Sequence, residues 1–189
     1  VAVDYWTARR TPEDLARKAK EGKALGYHGI KIKCALGDPN IERLQAVVDA
    51  VGPDFKVTVD PNCRFHLPCH TISFADALGD LRQCVAVIED PVPKDNLDWY
   101  VMLRQQLQVP IALHLGSGRA VFDAVRRGAV DMLNISPYSM VEFVRQCYIA
   151  EQAGVPVWHG SGVDLGILDM SYIHACAAAP AATLTSDIV

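Results

Sequence analysis

The stretch Gly29-Ile30-Lys31-Ile32-Lys33-Cys34 interleaves two lysines with apolar residues. As a strand it turns Ile30, Ile32 and Cys34 to one face and Lys31 and Lys33 to the other. Two ammonium groups about 7 Å apart along a strand repel each other, and each loses hydration when covered. A solvent-facing strand tolerates such a pair. This one lies between two helix-like segments, where a parallel strand is covered on both sides. A buried lysine pair needs negative charge opposite, and two further apolar runs end in acids: Val57-Thr58-Val59-Asp60 and Val87-Ile88-Glu89-Asp90.

Working outward, the same alternation runs along the chain. Val1 to Tyr5 reads as a strand, and Thr11-Pro12-Glu13-Asp14 opens a helix with an N-cap, a proline in the first turn and two acids. Leu15, Ala19 and Gly22 mark its inner face and Gly26 ends it. Pro39 opens a second helix, with Ile41, Leu44, Val47, Val48 and Val51 at helical spacing until Gly52-Pro53. Strand 56–60, the loop 61–70 and a helix bearing Phe74, Ala77, Leu78 and Leu81 follow. Strands over 85–89, 110–114, 130–135 and 155–159 then alternate with helices over 97–107, 119–127, 139–153 and 165–179. Residues 183–189 read as the start of another strand.

Strict β-α alternation with short connections implies a parallel sheet. Seven units in series fit a (β/α)8 TIM-type barrel with an incomplete eighth unit; an open doubly wound sheet is the rival, weakened because no glycine-rich phosphate loop follows the first strand. Seven units alone would leave an open seam between the first and seventh strands.

Bulk properties narrow the function. At 189 residues, half of them hydrophobic, the chain builds one domain. A net charge of −4 and the lack of a basic block argue against nucleic acid or an anionic membrane as partner. No apolar run reaches the length of a membrane span, and no signal peptide is expected from the stretch that opens the sequence. The six cysteines are scattered, which reads as reduced thiols in a cytoplasmic protein. The chain starts without an initiator methionine in a strand-like segment, which reads as a fragment.

In a barrel, chemistry sits where strands end. The polar residues there are Lys31 and Lys33, Asp60 and Asn62, Glu89 and Asp90, His114, Asn134 and Ser136, and His159 with Asp164 beyond. Asp60 and Glu89, on successive strands, offer oxygens to a hard divalent cation such as Mg²⁺. Burial and a neighbouring cation both lower a lysine's pKa, so lysines on the adjacent strand suit the role of proton acceptor. A metal that holds a carboxylate and stabilises an enolate, beside a lysine base, suits proton abstraction α to a carboxylate.

Gly-x-x-x-Ile-Lys-Ile-Lys, Val-Asp-Pro-Asn-Cys-Arg, Ile-Glu-Asp-Pro-Val-Pro and Val-Pro-Ile-Ala-Leu, with the helix from Leu165, resemble the enolase superfamily in its mandelate racemase/muconate lactonizing branch. The resemblance covers essentially the whole chain. It implies a barrel domain over 1–189 from which the family's N-terminal capping domain and last β-α unit are absent. It further implies Lys33 as general base, Lys31 beside the substrate carboxylate, and Asp60 and Glu89 as ligands of Mg²⁺ or another divalent cation such as Mn²⁺.

At the third ligand position the chain has His114, which either ligates through a ring nitrogen or packs or binds substrate; as a neutral donor it would favour softer metals. Ser136 stands where the family has a second lysine or an aspartate. His159 is the implied acid opposite Lys33, and Asp164 is either a helix N-cap or a catalytic residue. Asn62, Arg64, Ser136 and Asp164 are the expected substrate-binding set, with His66 and His70 near the pocket mouth. Cys63, His66, Cys69 and His70 crowd one loop, a weak zinc pattern because structural sites draw ligands from two segments.

The expected reaction is α-proton abstraction from a small-molecule carboxylate, followed by dehydration of a hydroxy or sugar acid. Racemisation, epimerisation or cycloisomerisation is the alternative, and a homo-oligomer is expected of the full-length protein. Two readings from other classes stand beside it. One is a non-catalytic relative that kept Lys33, Asp60 and Glu89; the other is a phosphate-binding barrel, for which Gly160-Ser161-Gly162 is a faint signal.

Overall fold

The computed structural model describes residues 1–162 and 165–188. Strands β1 (Tyr5–Thr7), β2 (Gly29–Lys33), β3 (Lys56–Asp60), β4 (Val85–Glu89), β5 (Ile111–Leu115), β6 (Met132–Ile135) and β7 (Val157–Trp158) pair in sequence order, all parallel. Between them run α1 (Pro12–Ala24), α2 (Asn40–Val51), α3 (Pro68–Ala77), α4 (Leu97–Gln106), α5 (Gly118–Arg127) and α6 (Met140–Gln152), with α7 (Gly166–Ala178) after β7. A short 3₁₀ segment, Gly79–Cys84, leads from α3 into β4. The fold is the TIM-type barrel read from the alternation, and the doubly wound sheet is set aside because every strand pairs with its sequence neighbour.

The local signals act as chemistry predicts. The Thr11 hydroxyl accepts the Asp14 N–H at the start of α1, and Ser117 and Ser139 do the same for α5 and α6. Helix α5 stops at Gly128, whose φ of 67° is the left-handed value a C-terminal glycine supplies.

The open seam expected between β1 and β7 is corrected by the structure. Ser186 bridges Val3 and Asp187 bridges Gly160, so the last described residues lie between the two edge strands. Asp4 N–H donates to the Ser186 carbonyl (2.8 Å), Ser186 N–H to the Ala2 carbonyl (3.0 Å), and Leu184 N–H to the Val157 carbonyl (3.2 Å). The physical reason is the edge itself: buried backbone groups of β1 and β7 need partners, and this segment supplies them.

Alternation divides each strand. Ile30, Ile32, Val57, Val59, Ile88, Ile111, Leu113, Leu133, Ile135 and Val157 are buried in the clusters that pack against the helices through Leu15, Leu44, Val47, Leu103, Val121 and Phe143. Each such side chain contributes about 1.5–3 kcal/mol by leaving water. The opposite face lines the barrel interior. Val87, Ala112 and Trp158 form a small apolar plug with Met132 and Leu184, and the polar residues Lys31, Asp60, Glu89 and Asn134 belong to the same face. The apolar layers thus hold the charged face of the lysine strand toward the barrel interior.

Candidate active site

The negative charge demanded by the lysine pair is present. Lys31 Nζ lies 2.7 Å from Glu89 Oε2, 3.0 Å from Asp187 Oδ2 and 3.3 Å from Asp60 Oδ2. Lys33 Nζ lies 2.5 Å from Asp60 Oδ2. The two lysines are not equivalent: the Lys31 side chain is 3% exposed and that of Lys33 22%. Burial alone would lower the Lys31 pKa, but Glu89, Asp187 and Asp60 outweigh it and hold the ammonium well above the usual lysine value. Burial likewise opposes ionisation of Asp60, yet Lys31 and Lys33 pull its carboxyl below the usual range. Glu89 goes the other way: burial pushes it up to about 8, and the pull of Lys31 is offset by the nearby Asp60 and Asp187.

Further bonds fix the acids. Asp60 Oδ1 accepts the Asn62 N–H at 2.9 Å, and Glu89 Oε1 accepts the Asn134 amide at 2.9 Å. Trp158 Nε1 donates to Asp187 Oδ1 at 3.0 Å. Gly160 lets β7 approach Asn134, because a Cβ there would fall 2.5 Å from Asn134 Nδ2.

His114 completes the group. Its Nδ1 lies 3.6 Å from Glu89 Oε1, and its Nε2 contacts Ser136 Oγ. Burial, with Lys31 and Lys94 nearby, pushes its pKa down to about 3, which keeps the imidazole neutral and able to ligate. Among the described residues, Glu89, Asp90 and His114 offer donor atoms within 4.8 Å of one another. Beyond them opens a cleft of about 300 Å³ lined by Lys94, His114, Gly116, Ser136, Tyr138, Gly160, Ser161, Gly162 and Tyr172. It lies past the ends of β5, β6 and β7, the end of the barrel that carries the polar residues.

Lys31, Lys33, Asp60, Glu89, His114 and Ser136 are therefore linked through direct contacts. Asn62 and Arg64 sit on the following loop, where Arg64 Nη2 donates to Asn62 Oδ1 at 3.0 Å and Arg64 Nε to the Pro61 carbonyl at 3.0 Å. His159 is placed elsewhere than opposite Lys33. Trp158 takes the inward position, so period 2 turns His159 toward the helices, where its buried ring stacks 3.9 Å from Tyr172 and 4.8 Å from Phe143. Asp164 lies outside the described residues. In the structure Cys69 and His70 belong to α3, the His70 Nδ1 position is 2.7 Å from the Phe65 carbonyl, and no cluster of metal-donor atoms among the described residues includes the stretch 63–70. Sequence reasoning missed Asp187, which follows no recognisable helix or long strand, and Lys94, which follows the Glu89-Asp90 pair within the next loop.

The fold and this constellation have known counterparts. Residues 14–189 match the family model described as enolase C-terminal domain-like. The chain is 27% identical over 169 residues to N-succinyl-L-Arg/Lys racemase of Bacillus cereus, covering 86% of this chain and 45% of the racemase. It is 28% identical over 137 residues to arabinonate dehydratase of Saccharolobus solfataricus, covering 68% of this chain and 35% of that protein. The dipeptide epimerase of Enterococcus faecalis superposes with a TM-score of 0.92 at 26% identity, over 100% of this chain and 55% of the epimerase; a further structure of that epimerase holds Mg and the dipeptide L-Leu-L-Tyr. The chain spans about half the length of the racemases it matches, 45% of the Bacillus cereus protein and 44% of an N-succinylamino acid racemase of Amycolatopsis sp. With the family model matching nearly its whole length, this chain belongs to the enolase C-terminal domain-like family, in the mandelate racemase/muconate lactonizing branch of the enolase superfamily.

Proposed function

We propose that this barrel abstracts the α-proton of a small carboxylate substrate with Lys33 as the base, and that the resulting enolate expels a β-hydroxyl group as water. The observation that carries the reading is the division between the lysines. Lys31 is sealed among three carboxylates, whereas Lys33 has one carboxylate partner and remains partly exposed. A locked cation supplies fixed positive charge, and an accessible amine can move a proton.

Glu89 and His114 offer donor atoms within 4.8 Å of each other, and Asp60 shares the Lys31 contact with Glu89, a set that suits a divalent cation. Asp60 and Glu89 are fully buried carboxylates, and His114 turns a ring nitrogen toward Glu89. These three residues would hold the ion, which when bound would offset the negative charge that develops on the substrate carboxylate. Lys33 Nζ would take the α-proton, the C–H electron pair would pass into the carboxylate, and its return would break the β C–O bond while the Lys33 ammonium gives the proton to the departing hydroxyl, so that water leaves and the free amine is restored. Ser136 and the Gly160–Gly162 turn line the far side of the cleft, where they would orient substrate hydroxyls. The packing of His159 between Phe143 and Tyr172 suits a positioning role for the β7 end rather than a direct proton transfer.

Ser136 favours elimination, because a two-base proton transfer needs a second base on the opposite wall. Racemisation or epimerisation is the second reading, supported by the racemases and epimerases among the similar proteins. The test uses the full-length protein loaded with a divalent cation, in heavy water, on a panel of sugar acids and N-acyl amino acids. Elimination gives a 2-keto-3-deoxy acid, and epimerisation gives deuterium at an inverted carbon. Lys33→Arg cannot be deprotonated and should lose α-proton exchange by at least about 100-fold while still binding the cation. Normal exchange in Lys33→Arg would remove the base assignment.

A further inference from the structure

His114 is held from three directions. Its N–H donates to Asp90 Oδ1 (2.9 Å), and its carbonyl accepts from Lys94 Nζ (2.8 Å), which also bonds Asp90 Oδ2 (2.9 Å). Asp90 adopts a φ of 46°, so the chain departs from strand geometry immediately after Glu89 and the carboxylate swings to cap the next strand. Both Asp90 oxygens are committed to this clamp. On the ring, Nε2 contacts Ser136 Oγ, and Nδ1 lies 3.6 Å from Glu89 Oε1. That separation is too long for a hydrogen bond. Glu89 Oε1 already accepts from Asn134, and the Glu89 side chain is fully buried. When Nε2–H donates to Ser136, a nitrogen lone pair and the oxygen of a buried carboxylate face each other at the base of the cleft. A cation between them makes both favourable.

We propose that Glu89 and His114, together with Asp60, form a mixed oxygen–nitrogen site that selects a first-row transition ion such as Mn²⁺ or Co²⁺ over Mg²⁺, with Ser136 as the positioning residue that presents the Nδ1 lone pair. Mg²⁺ demands oxygen ligands in near-ideal octahedral geometry, whereas imidazole suits the transition ions, more so along the series from Mn²⁺ to Co²⁺. The inference rests on the reading that Asp60 and Glu89 hold a cation; it concerns which cation and through which atom.

The experiment titrates the metal-free full-length protein with MgCl₂, MnCl₂ and CoCl₂ by calorimetry and records pulsed EPR of the Mn²⁺-loaded form. The wild type should bind Co²⁺ more tightly than Mn²⁺, and Mn²⁺ at least about 10-fold more tightly than Mg²⁺. Its EPR should show coupling to an imidazole ¹⁴N. His114→Asp should lose that coupling and close the gap between Mn²⁺ and Mg²⁺. Ser136→Ala should weaken Mn²⁺ binding by about 10-fold, as loss of an orienting partner does, with Ser136→Thr restoring it. The serine pair keeps the inference open to refutation if His114→Asp does not fold. Equal affinity for Mg²⁺ and Mn²⁺, or absence of ¹⁴N coupling, overturns the inference while leaving the Lys33 assignment intact, since the other tautomer would then point Nδ1–H at Glu89. Unchanged Mn²⁺ affinity in Ser136→Ala overturns the role of the serine. Failure of every ion to bind overturns the cation reading itself.

Discussion

Replacing Lys31 by methionine isolates the cost of the buried carboxylates. Methionine keeps an unbranched chain of similar length, so the substitution removes charge without opening a large cavity. In the wild type, Lys31 is within 3.3 Å of three carboxylates, with Asp60 and Glu89 fully buried. The acids would not be equally stranded. Asp60 would retain Lys33 at 2.5 Å, and Asp187 would retain the Trp158 indole at 3.0 Å. Glu89 would keep only the Asn134 amide at 2.9 Å and the distant His114 ring, so it loses most. Above the Glu89 pKa of about 8, where that acid is ionised, removing one partner of a buried ion pair costs about 3–5 kcal/mol; below it Glu89 takes up a proton and the loss is smaller. At about 2–4 °C per kcal/mol for a domain of this size, the melting temperature should fall by roughly 6–20 °C. The measurement is denaturant and thermal unfolding in EDTA at a pH above that value, repeated with MnCl₂. A bound cation should recover part of the loss, because it returns positive charge to the same carboxylates. A loss under about 1 kcal/mol in EDTA would show that the acids are buried without need of the lysine, and the charge-pairing account of the strand would be wrong.

Other outcomes follow from single contacts. Gly160→Ala sets a Cβ 2.5 Å from Asn134 Nδ2 and should cost about 1–3 kcal/mol, and through the displaced Asn134 it should weaken cation binding, read by calorimetry. Tyr100→Phe removes the hydroxyl that donates to the Val92 carbonyl at 2.6 Å in a fully buried site, and chemical denaturation should register about 1–3 kcal/mol. Leu133→Ala, at 0% exposure between β6 and the helices, should lose about 2–5 kcal/mol with no change in metal preference.

Much of the barrel was legible because its signals are local. Ile30 and Ile32 declare one strand face and Lys31 and Lys33 the other, and Thr11-Pro12 declares a helix start; these patterns depend on a few neighbouring residues. Asp60, Glu89 and His114 were legible as strand ends, and their contacts with the lysines and with one another follow from strand order. Other parts depend on geometry that spacing does not encode. Val157, Trp158 and His159 contain no polar–apolar alternation, so nothing in them showed that Trp158 faces inward and His159 outward. The left-handed turn at Asp90 makes it a brace for His114, a role invisible to period counting. Asp187 joins the Lys31 cluster through a segment held by one bridge on each side, too short for a periodic signature.

That segment also imposes an order on assembly. The bridge between Val3 and Ser186 spans nearly the whole described chain, so its formation must overcome almost the largest loop-closure entropy available. During synthesis β1 emerges before the other six strands and waits with one edge bare until residues 184–188 arrive, a period in which that edge can pair with another nascent chain. The interior electrostatics mature on the same schedule: Lys31 can meet Asp60 and then Glu89 early, but Asp187 reaches it only with the closing segment. Ring closure and completion of the charged cluster are thus one late event. Slow refolding of this barrel should track the docking of residues 184–188.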